Sequence, residues 1–340
     1  MKPSPSPWPV AEAFGLGTPT GPLVAIASGP SGVHRSWRLS TSRGRFAVKA
    51  FDQDLSADGA ATLEGPVRLE LAAFAAGVPM PRPCLAVETG AGVAEVAGLG
   101  PQPLFVGVHE WVEGTTPTAP APMRLAADLG AALARIHGLG LGCDESAQVD
   151  PWYRAAHGAG HWQALVEQVE RVGYGWAGRL RAALPLVAEV EALVAARTAE
   201  TVPLLVTHSD LVPGNVVVSV QGRVWIVDWD DAGPWNAAEE VAAAVVSWSS
   251  GVAGEPNERA ARALVEGYRA AGGGLESHSP TVLAGSLSAV VNWLELNLCR
   301  SLDQAADRPF LQRAEAVATG ALAELSQRLD RLDRWTELLG

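Results

Sequence analysis

The stretch LLVTHSDLVPGNVVVSVQGRVWIVDWD, residues 204–230, decides how the rest of the chain is interpreted. Leu204-Leu205-Val206 is a short apolar run typical of a buried strand, and a polar loop follows it as far as Asn215. Two β-rich runs then flank Gln221-Gly222, a dipeptide that suits a tight hairpin turn. The pattern predicts a loop rich in polar side chains beside a hairpin that ends at Asp228.

Three side chains of this stretch suit phosphoryl transfer, which needs a carboxylate at the attacking hydroxyl and oxygen ligands for magnesium. Residues 208–215 read HSDLVPGN, which differs from the kinase catalytic loop HRDLxxxN only at its second position. Asp210 stands where the hydroxyl-orienting aspartate would be, and Asn215 and Asp228 stand where the magnesium ligands would be. The alternative is an ordinary loop in which Asp and Asn form turns, but the ordered set favours catalysis.

With these residues in place, the sequence resembles the aminoglycoside phosphotransferase and choline kinase group of small-molecule kinases. That group favours Asp-Trp over Asp-Phe-Gly, as in Asp228-Trp229-Asp230, and lacks the Ala-Pro-Glu activation segment, as this chain does. The resemblance extends from about Leu23 to about Leu302 and is most specific between Thr207 and Glu240. It implies the bilobed protein-kinase-like α+β fold, with an antiparallel β N-lobe that carries one helix and a mainly helical C-lobe.

The resemblance also implies a nucleotide site in the N-lobe. The sequence FAVK that ends at Lys49 is similar to the VAIK of the third kinase strand, so Lys49 is expected to grip the nucleotide phosphates. The small residues Ser31 and Gly32 lie in a turn whose backbone groups are expected to cover those phosphates. From composition alone, a solvated lysine and a bare hairpin turn are the alternatives.

Two further segments complete the implied nucleotide site. A predicted helix over residues 63–76 offers a carboxylate to hold the lysine, with Glu70 as first choice and Glu64 as the alternative. The segment after the next strand is the hinge of the family, whose backbone atoms bind the nucleobase. The residues that occupy this hinge are Glu110, Trp111 and Val112.

The supporting and substrate residues are expected from the resemblance and from position. His208 is expected to order the catalytic loop by hydrogen bonding, and Glu240 resembles the helical carboxylate that supports this loop in the family. Asp231 and Glu295 are candidates to meet substrate amines, although solvated carboxylates are the alternative for both.

Composition narrows the possible partners. The 340 residues carry a net charge of −12, which argues against a nucleic-acid partner and is compatible with a cationic substrate. The three cysteines form neither a metal nor a disulfide pattern, so a cytoplasmic location is expected. The sequence shows neither a signal peptide nor an apolar run of 18 residues, so no membrane partner is expected.

The combined prediction is a magnesium-dependent kinase that moves the γ-phosphoryl group of ATP or GTP to a hydroxyl of a small molecule. The favoured acceptor is an aminoglycoside-like or other amine-bearing antibiotic, in resistance or self-protection. A metabolic alcohol such as choline or a sugar is the alternative, and a pseudokinase scaffold is a further one.

The predicted division is a flexible leader over 1–20, an N-lobe over 21–108 and a C-lobe over 109–340, in a monomer or homodimer. The helical substrate-binding subdomain is expected at about 143–203 and 250–340.

Overall fold

The computed structural model describes residues 5–26, 35–51, 59–100, 102–144, 147–154, 156–275, 279–303 and 308–340. The chain forms two compact units. The first, here called the sheet unit, comprises Met1–Pro117, Leu139–Leu141 and Val206–Gly233. The second, here called the helical unit, comprises Thr118–Gly138, Gly142–Leu205 and Pro234–Gly340.

The sheet unit is built on a five-stranded antiparallel sheet. Its strands are β1 (Val24–Ala25), β2 (Arg35–Thr41), β3 (Gly44–Phe51), β4 (Val93–Val96) and β5 (Leu104–Glu110), and its helices are α1 (Trp8–Ala13) and α2 (Gly59–Ala75). The strand order is β1-β2-β3-β5-β4, and every neighbouring pair is antiparallel. The predicted α+β class with an antiparallel N-terminal sheet is confirmed.

Strand β3 shows why this sheet has two different faces. Phe46, Val48 and Ala50 are buried, because alternate side chains of a strand point to the same face and these three join the apolar core. Lys49 lies at an intervening position and is half-buried on the other side. The alternation therefore places the predicted phosphate-binding lysine opposite the core.

Residues 5–20, the described part of the predicted flexible leader, differ from that prediction. Residues 8–13 form α1, and Val10 is fully buried within it. Phe14 and Leu16 are buried in the same core as Leu39 of the sheet. The Pro- and Ser-rich composition suggested a loose segment, but a few large apolar side chains among those residues are enough to bind the segment to the sheet.

A second, smaller hairpin lies within residues 204–230. Strand β6 (Leu205–Thr207) leads into the polar loop, and β7 (Val216–Val218) pairs antiparallel with β8 (Val224–Ile226). Gly222 has a φ of +78° in the turn between them and donates its N–H to Ser219 O at 2.9 Å. Only glycine adopts this left-handed conformation without cost, which accounts for the predicted turn.

The helical unit contains the remaining helices, after the short strand β9 (Gly233–Trp235). They are α3 (Met123–Gly138), α4 (Ala159–Val172), α5 (Ala177–Thr198), α6 (Ala237–Ser249), α7 (Glu258–Ala270), α8 (Ala284–Ser301), α9 (Arg308–Leu329) and α10 (Leu332–Leu339). Helices α3 and α7 approach closely at two glycines. A Cβ added to Gly130 would lie 2.0 Å from Leu264 O, and one added to Gly267 would lie 2.2 Å from Ala127 O. Any side chain at either position would therefore push the two helices apart.

One segment of the described chain, Pro280–Ser301, is long and apolar enough to cross a membrane by length and composition. In the structure 67% of its most apolar window is buried inside the protein. It also carries polar side chains with partners inside the fold, such as Asn292, whose amide group donates to Trp152 O at 2.7 Å. These features are those of a core helix.

Candidate active site

The loop between β6 and β7 brings Asp210 and Asn215 into contact. The amide nitrogen Nδ2 of Asn215 donates to Asp210 Oδ2 at 2.6 Å and to Asp210 O at 2.9 Å. A single 3-10 turn, Pro213–Asn215, shortens the path between the two residues. Because Nδ2 is the donor, the amide oxygen of Asn215 is the atom that can serve as an acceptor or a metal ligand.

His208 connects this loop to the end of the hairpin. Its Nε2 donates to Val227 O at 3.3 Å, and its Nδ1 accepts the N–H of Asp210 at 3.3 Å. The ring is fully buried and lies edge-on to Trp229, with the ring centroids 4.6 Å apart. With one nitrogen donating and the other accepting, the ring takes the neutral tautomer with its proton on Nε2.

Two residues of the site have left-handed backbone conformations. Ser209 has a φ of 67° and Asp228 a φ of 66°, and they are the only non-glycine residues with positive φ in the described part of the chain. Such conformations are unfavourable for residues other than glycine and persist where the surroundings impose them. Here Val227, next to Asp228, donates its N–H to Asn215 O at 2.9 Å and accepts from Nε2 of His208, next to Ser209, so the loop and the hairpin end hold each other beside both positions.

Lys49 meets the carboxylates that follow the hairpin. Its Nζ lies 2.5 Å from Asp228 Oδ1 and also pairs with Asp230 Oδ2. Burial acts to lower the pKa of Lys49, but the charges of Asp230 and Asp228 outweigh it and raise the pKa above its ordinary value. Burial also raises the pKa of Asp230 to about 7, against the opposing charge of Lys49. The ammonium group is thus charged at neutral pH and lies between two acids.

Glu70 does not pair with Lys49 in this structure, which corrects the predicted lysine–glutamate pair. Its Oε1 lies 2.6 Å from Nε2 of His109 on β5, and the glutamate is buried. Burial acts to lower the pKa of His109, but the charge and hydrogen bond of Glu70 outweigh it and raise the pKa above the ordinary 6.5. Glu64, the alternative partner, is exposed on the same helix. Among the described residues, the acids that form ion pairs with Lys49 are Asp228 and Asp230.

A cavity of about 290 Å³ in the sheet unit lies next to these groups. Lys49, Glu70, Asp228 and Asp230 line it at one place. The predicted hinge residues also line it: Glu110, Trp111 and Val112. Most of the other lining residues are apolar, including Ile26, Val48, Leu63, Val67 and Val217. Such a combination of apolar walls with a few convergent polar groups is typical of a small-molecule site.

The backbone of the predicted hinge is partly used by the protein itself. The N–H of Glu110 donates to Arg82 O and that of Trp111 donates to Arg45 O, both at 2.9 Å. The indole Nε1 of Trp111 donates to Glu113 Oε1 at 2.9 Å. These bonds fix the end of β5 at the edge of the cavity.

The other predicted site residues are placed as follows. Ser31 and Gly32 lie outside the described residues. Asp231 is exposed in the turn after Asp230. In the helical unit, Glu240 is buried and its Oε2 lies 2.5 Å from His137 Nε2, while Glu295 on α8 contacts His161 at 3.3 Å. The predicted roles of these residues remain predictions.

Sequence reasoning missed two residues of the site. Asp230 was not among the predicted site residues, yet it is half-buried and pairs with Lys49. No period-two pattern could have revealed this pair, because Asp228 has a left-handed backbone conformation and Asp230 lies in a turn. No sequence pattern pointed to His109, because its hydrogen bond to Glu70 depends on the pairing of β3 with β5, which places Ala47 opposite His109.

The donor set fits a magnesium ion. It offers the carboxylates of Asp228 and Asp230 and the amide oxygen of Asn215, and hard oxygen donors are the ligands that Mg²⁺ prefers. Asp228 is partly exposed, with 40% of its side chain accessible, so water molecules can complete the coordination sphere. This donor set therefore suits an ion beside Lys49.

Comparison with known proteins agrees with this geometry. The model of the phosphotransferase enzyme family matches residues 26–274, while no curated protein matches the chain. A spectinomycin phosphotransferase, solved with ADP and spectinomycin, is 13% identical with a TM-score of 0.61 and covers 94% of this chain and 92% of its own. An amicoumacin kinase, solved with AMP-PNP, Ca²⁺ and Ami, is 16% identical with a TM-score of 0.61 and covers 94% of this chain and 91% of its own.

A third structure extends the fold beyond antibiotic kinases. Choline kinase from Cryptosporidium parvum is 12% identical, with a TM-score of 0.57 over 93% of each chain. At these identities the structural likeness establishes the fold, and the family model, which spans well over half of the chain, establishes the family. The chain belongs to the phosphotransferase enzyme family and is a small-molecule kinase.

Proposed function

We propose that the protein transfers the γ-phosphoryl group of ATP or GTP to a hydroxyl of a small amine-bearing molecule. The observation that carries the proposal is the convergence of Lys49, Asp228 and Asp230 on one cavity, with the contact pair Asp210 and Asn215 on the adjoining loop. This is the set of groups that phosphoryl transfer requires, because its catalysis consists mainly of positioning and charge stabilisation.

In the proposed mechanism Asp210 orients the acceptor hydroxyl and takes its proton as the oxygen attacks phosphorus. The hydrogen bond from Asn215 to Asp210 Oδ2 fixes the carboxylate in one orientation, which lowers the cost of positioning the hydroxyl. His208, bonded to both the loop and the hairpin end, keeps Asp210 in register with Asp228. Neither step needs a charged histidine.

Lys49 is proposed to bind the nucleotide phosphates in the cavity. Its pKa is raised by Asp230 and Asp228, so it carries its charge throughout the neutral range. Asp228, Asp230 and Asn215 would hold Mg²⁺, which supplies charge neutralisation on the phosphates when bound. The apolar wall, together with Trp111 and Val112, suits the flat face of a nucleobase.

The net charge of the protein favours one class of acceptor. The net charge of −12 attracts amines and repels anionic alcohols. Spectinomycin and amicoumacin kinases share the fold, and so does a choline kinase, which keeps a small metabolic amine alcohol as the second candidate. An aminoglycoside-like antibiotic remains the favoured acceptor, with resistance or self-protection as its purpose.

The test is a nucleotide-consumption assay against a panel of aminoglycosides, other amine-bearing antibiotics, amino alcohols and sugars, with mass spectrometry of the acceptor. We expect a singly phosphorylated amine-bearing product from wild type. Asp210→Ala should lower kcat by about 100-fold or more, because it removes the hydroxyl-orienting base. Nucleotide affinity should stay within a few-fold of wild type, since Asp210 does not line the cavity.

Two further variants sharpen this test. Asp228→Asn should weaken activation by Mg²⁺, whereas Glu167→Gln, on an exposed face of α4, should leave activity unchanged. Phosphorylation of sugars alone would reject the amine-bearing acceptor. Retention of wild-type turnover in Asp210→Ala would reject the assigned base.

A further inference from the structure

A second cluster of potential metal ligands lies in the helical unit. The proposed mechanism of phosphoryl transfer gives these residues no part in the chemistry. His157 comes just before Gly158, the N-cap of α4, His161 lies in the first turn of that helix, and Glu295 lies on α8. Each offers one ligand atom, and the three atoms lie within 4.8 Å of one another. Side chains from two separate elements therefore converge on a volume that a single ion can fill.

The hydrogen bonds of Asn292 fix the protonation of His157. The amide nitrogen of Asn292 donates to Trp152 O at 2.7 Å and to Ser288 Oγ at 3.2 Å. Its oxygen Oδ1 consequently faces His157 Nε2, at 2.7 Å. Because an amide oxygen can only accept, Nε2 of the neutral ring carries the proton and Nδ1 keeps the lone pair that a metal needs.

His161 and Glu295 contribute the other two donors. His161 Nε2 is buried and forms no hydrogen bond within the described residues, although Glu295 Oε1 lies 3.3 Å away. A cation placed between this buried ring nitrogen and the carboxylate would interact favourably with both groups. Cys299, one helical turn beyond Glu295, places its Sγ 3.4 Å from the same carboxylate oxygen.

The backbone around the cluster is held in place by Glu191 on α5. Its Oε1 accepts the N–H of His157 at 2.8 Å, that of Gly158 at 3.0 Å and the indole N–H of Trp162 at 3.1 Å. The rings of His157 and His161 are stacked, with centroids 4.9 Å apart and an angle of 24° between their planes. Such outer-shell bonds orient metal ligands before the ion arrives, which is how protein metal sites gain affinity.

We propose that His157, His161 and Glu295 form a binding site for a divalent transition metal, with Zn²⁺ as its best occupant. Two imidazoles and one carboxylate form a donor set of intermediate hard–soft character, which suits Zn²⁺, whereas Mg²⁺ and Ca²⁺ prefer oxygen donors alone. Three protein ligands leave a fourth position for water or for a donor atom of a bound molecule. The site joins the start of α4 to α8.

The test uses the full chain without a histidine tag, freed of metal with a chelator and studied without nucleotide or Mg²⁺. Zn²⁺ is titrated calorimetrically, and Co²⁺ is titrated as a spectroscopic substitute. We expect one Zn²⁺ per chain and Co²⁺ absorption bands of a low-coordinate site. His161→Ala and the nearly isosteric Glu295→Gln should abolish stoichiometric binding. Asn292→Ala should weaken it about 10- to 100-fold, as expected for an outer-shell partner.

Two control variants establish whether the ion binds at these three residues. Glu167→Gln, two turns along the same helix, should bind Zn²⁺ like wild type, and so should Asp228→Asn, which alters the proposed nucleotide-metal site. Circular dichroism checks that each variant is folded. Failure of wild type to bind one Zn²⁺, or binding by folded Glu295→Gln at wild-type affinity, would overturn the proposal. Loss of binding in Asp228→Asn would overturn it too, because the ion would then sit elsewhere.

Discussion

At the scale of single residues, the candidate active site is defined by how a few charges share one small volume. Lys49 lies between two carboxylates, and Asp230 is buried enough that its pKa rises to about 7. A lysine alone would stay solvated, and two adjacent acids alone would repel each other. Together they stabilise one another, and a nucleotide phosphate can compete for the lysine while a metal ion competes for the acids.

Glu70 and His109 form a second ionisable pair, and its effect on stability depends on pH. The pKa of His109 is raised in the folded protein, so the pair stabilises the fold most fully below the ordinary value of 6.5. The contribution is lost as pH rises through the raised folded value. We expect Glu70→Gln to lower the free energy of unfolding by about 1.5–3 kcal/mol at pH 6 and by less at about pH 9.

Urea denaturation of both proteins across this pH range measures the difference. Arg181, whose guanidinium pairs with Glu170 on an exposed surface, provides a matched control, because Arg181→Gln should show no such pH dependence there. If the loss of unfolding free energy in Glu70→Gln grew with rising pH, the assigned charge on His109 would be contradicted.

At the scale of elements, α6 is anchored by a buried charge network. Glu239 is fully buried, and its Oε1 accepts from Arg197 Nε at 2.9 Å and from Arg154 at 2.6 Å. Asn236, the N-cap of α6, accepts from Arg197 at 3.2 Å and from the N–H groups of Ala238 and Glu239. One carboxylate thus pairs with two arginines and ties α5 and the 151–153 turn to the start of α6, while Glu200 gives Arg197 a second acid.

Breaking this network should be costly. Glu239→Leu leaves the Arg154 guanidinium without its paired acid and the buried Arg197 with only the exposed Glu200, so we expect the free energy of unfolding to fall by about 3–5 kcal/mol. Chemical denaturation with a linear fit measures the change. Glu337→Gln removes the acid of an exposed pair with Arg334 and should cost at most about 1 kcal/mol. Equal losses in the two variants would show that burial of the network is not what stabilises α6.

Elements also show what the sequence could and could not predict. The hairpin, its Gly222 turn and the loop bearing Asp210 follow from local turn chemistry and motif spacing, which are properties of a few neighbouring residues. Helix α1 and the Glu70–His109 bond were missed because they depend on contacts between distant parts of the chain. The helix predicted over residues 63–76 differs at its start, because α2 already begins at Gly59.

At the scale of the whole molecule, the net charge of −12 is the property that bears on function. An acidic protein draws cations by long-range attraction, and dissolved salt weakens that attraction because the Debye length falls to about 8 Å at physiological ionic strength. If the acceptor carries several amines, its kcat/KM should fall about 10-fold as NaCl rises from roughly 0.05 to 0.5 M. The matching kcat/KM for the anionic nucleotide should rise or stay level over the same range.

This comparison also separates an amine-bearing acceptor from a neutral one, because both substrates are measured on one enzyme under the same conditions. A sugar acceptor is neutral, so its kcat/KM should not depend on salt beyond what the nucleotide shows. Steady-state kinetics at five salt concentrations, with each substrate varied in turn, provides the measurement. Opposite slopes for acceptor and nucleotide would support a polyamine acceptor guided by the acidic protein. Parallel slopes would mean that net charge plays no part in binding of the acceptor, and would favour a neutral alcohol as the acceptor.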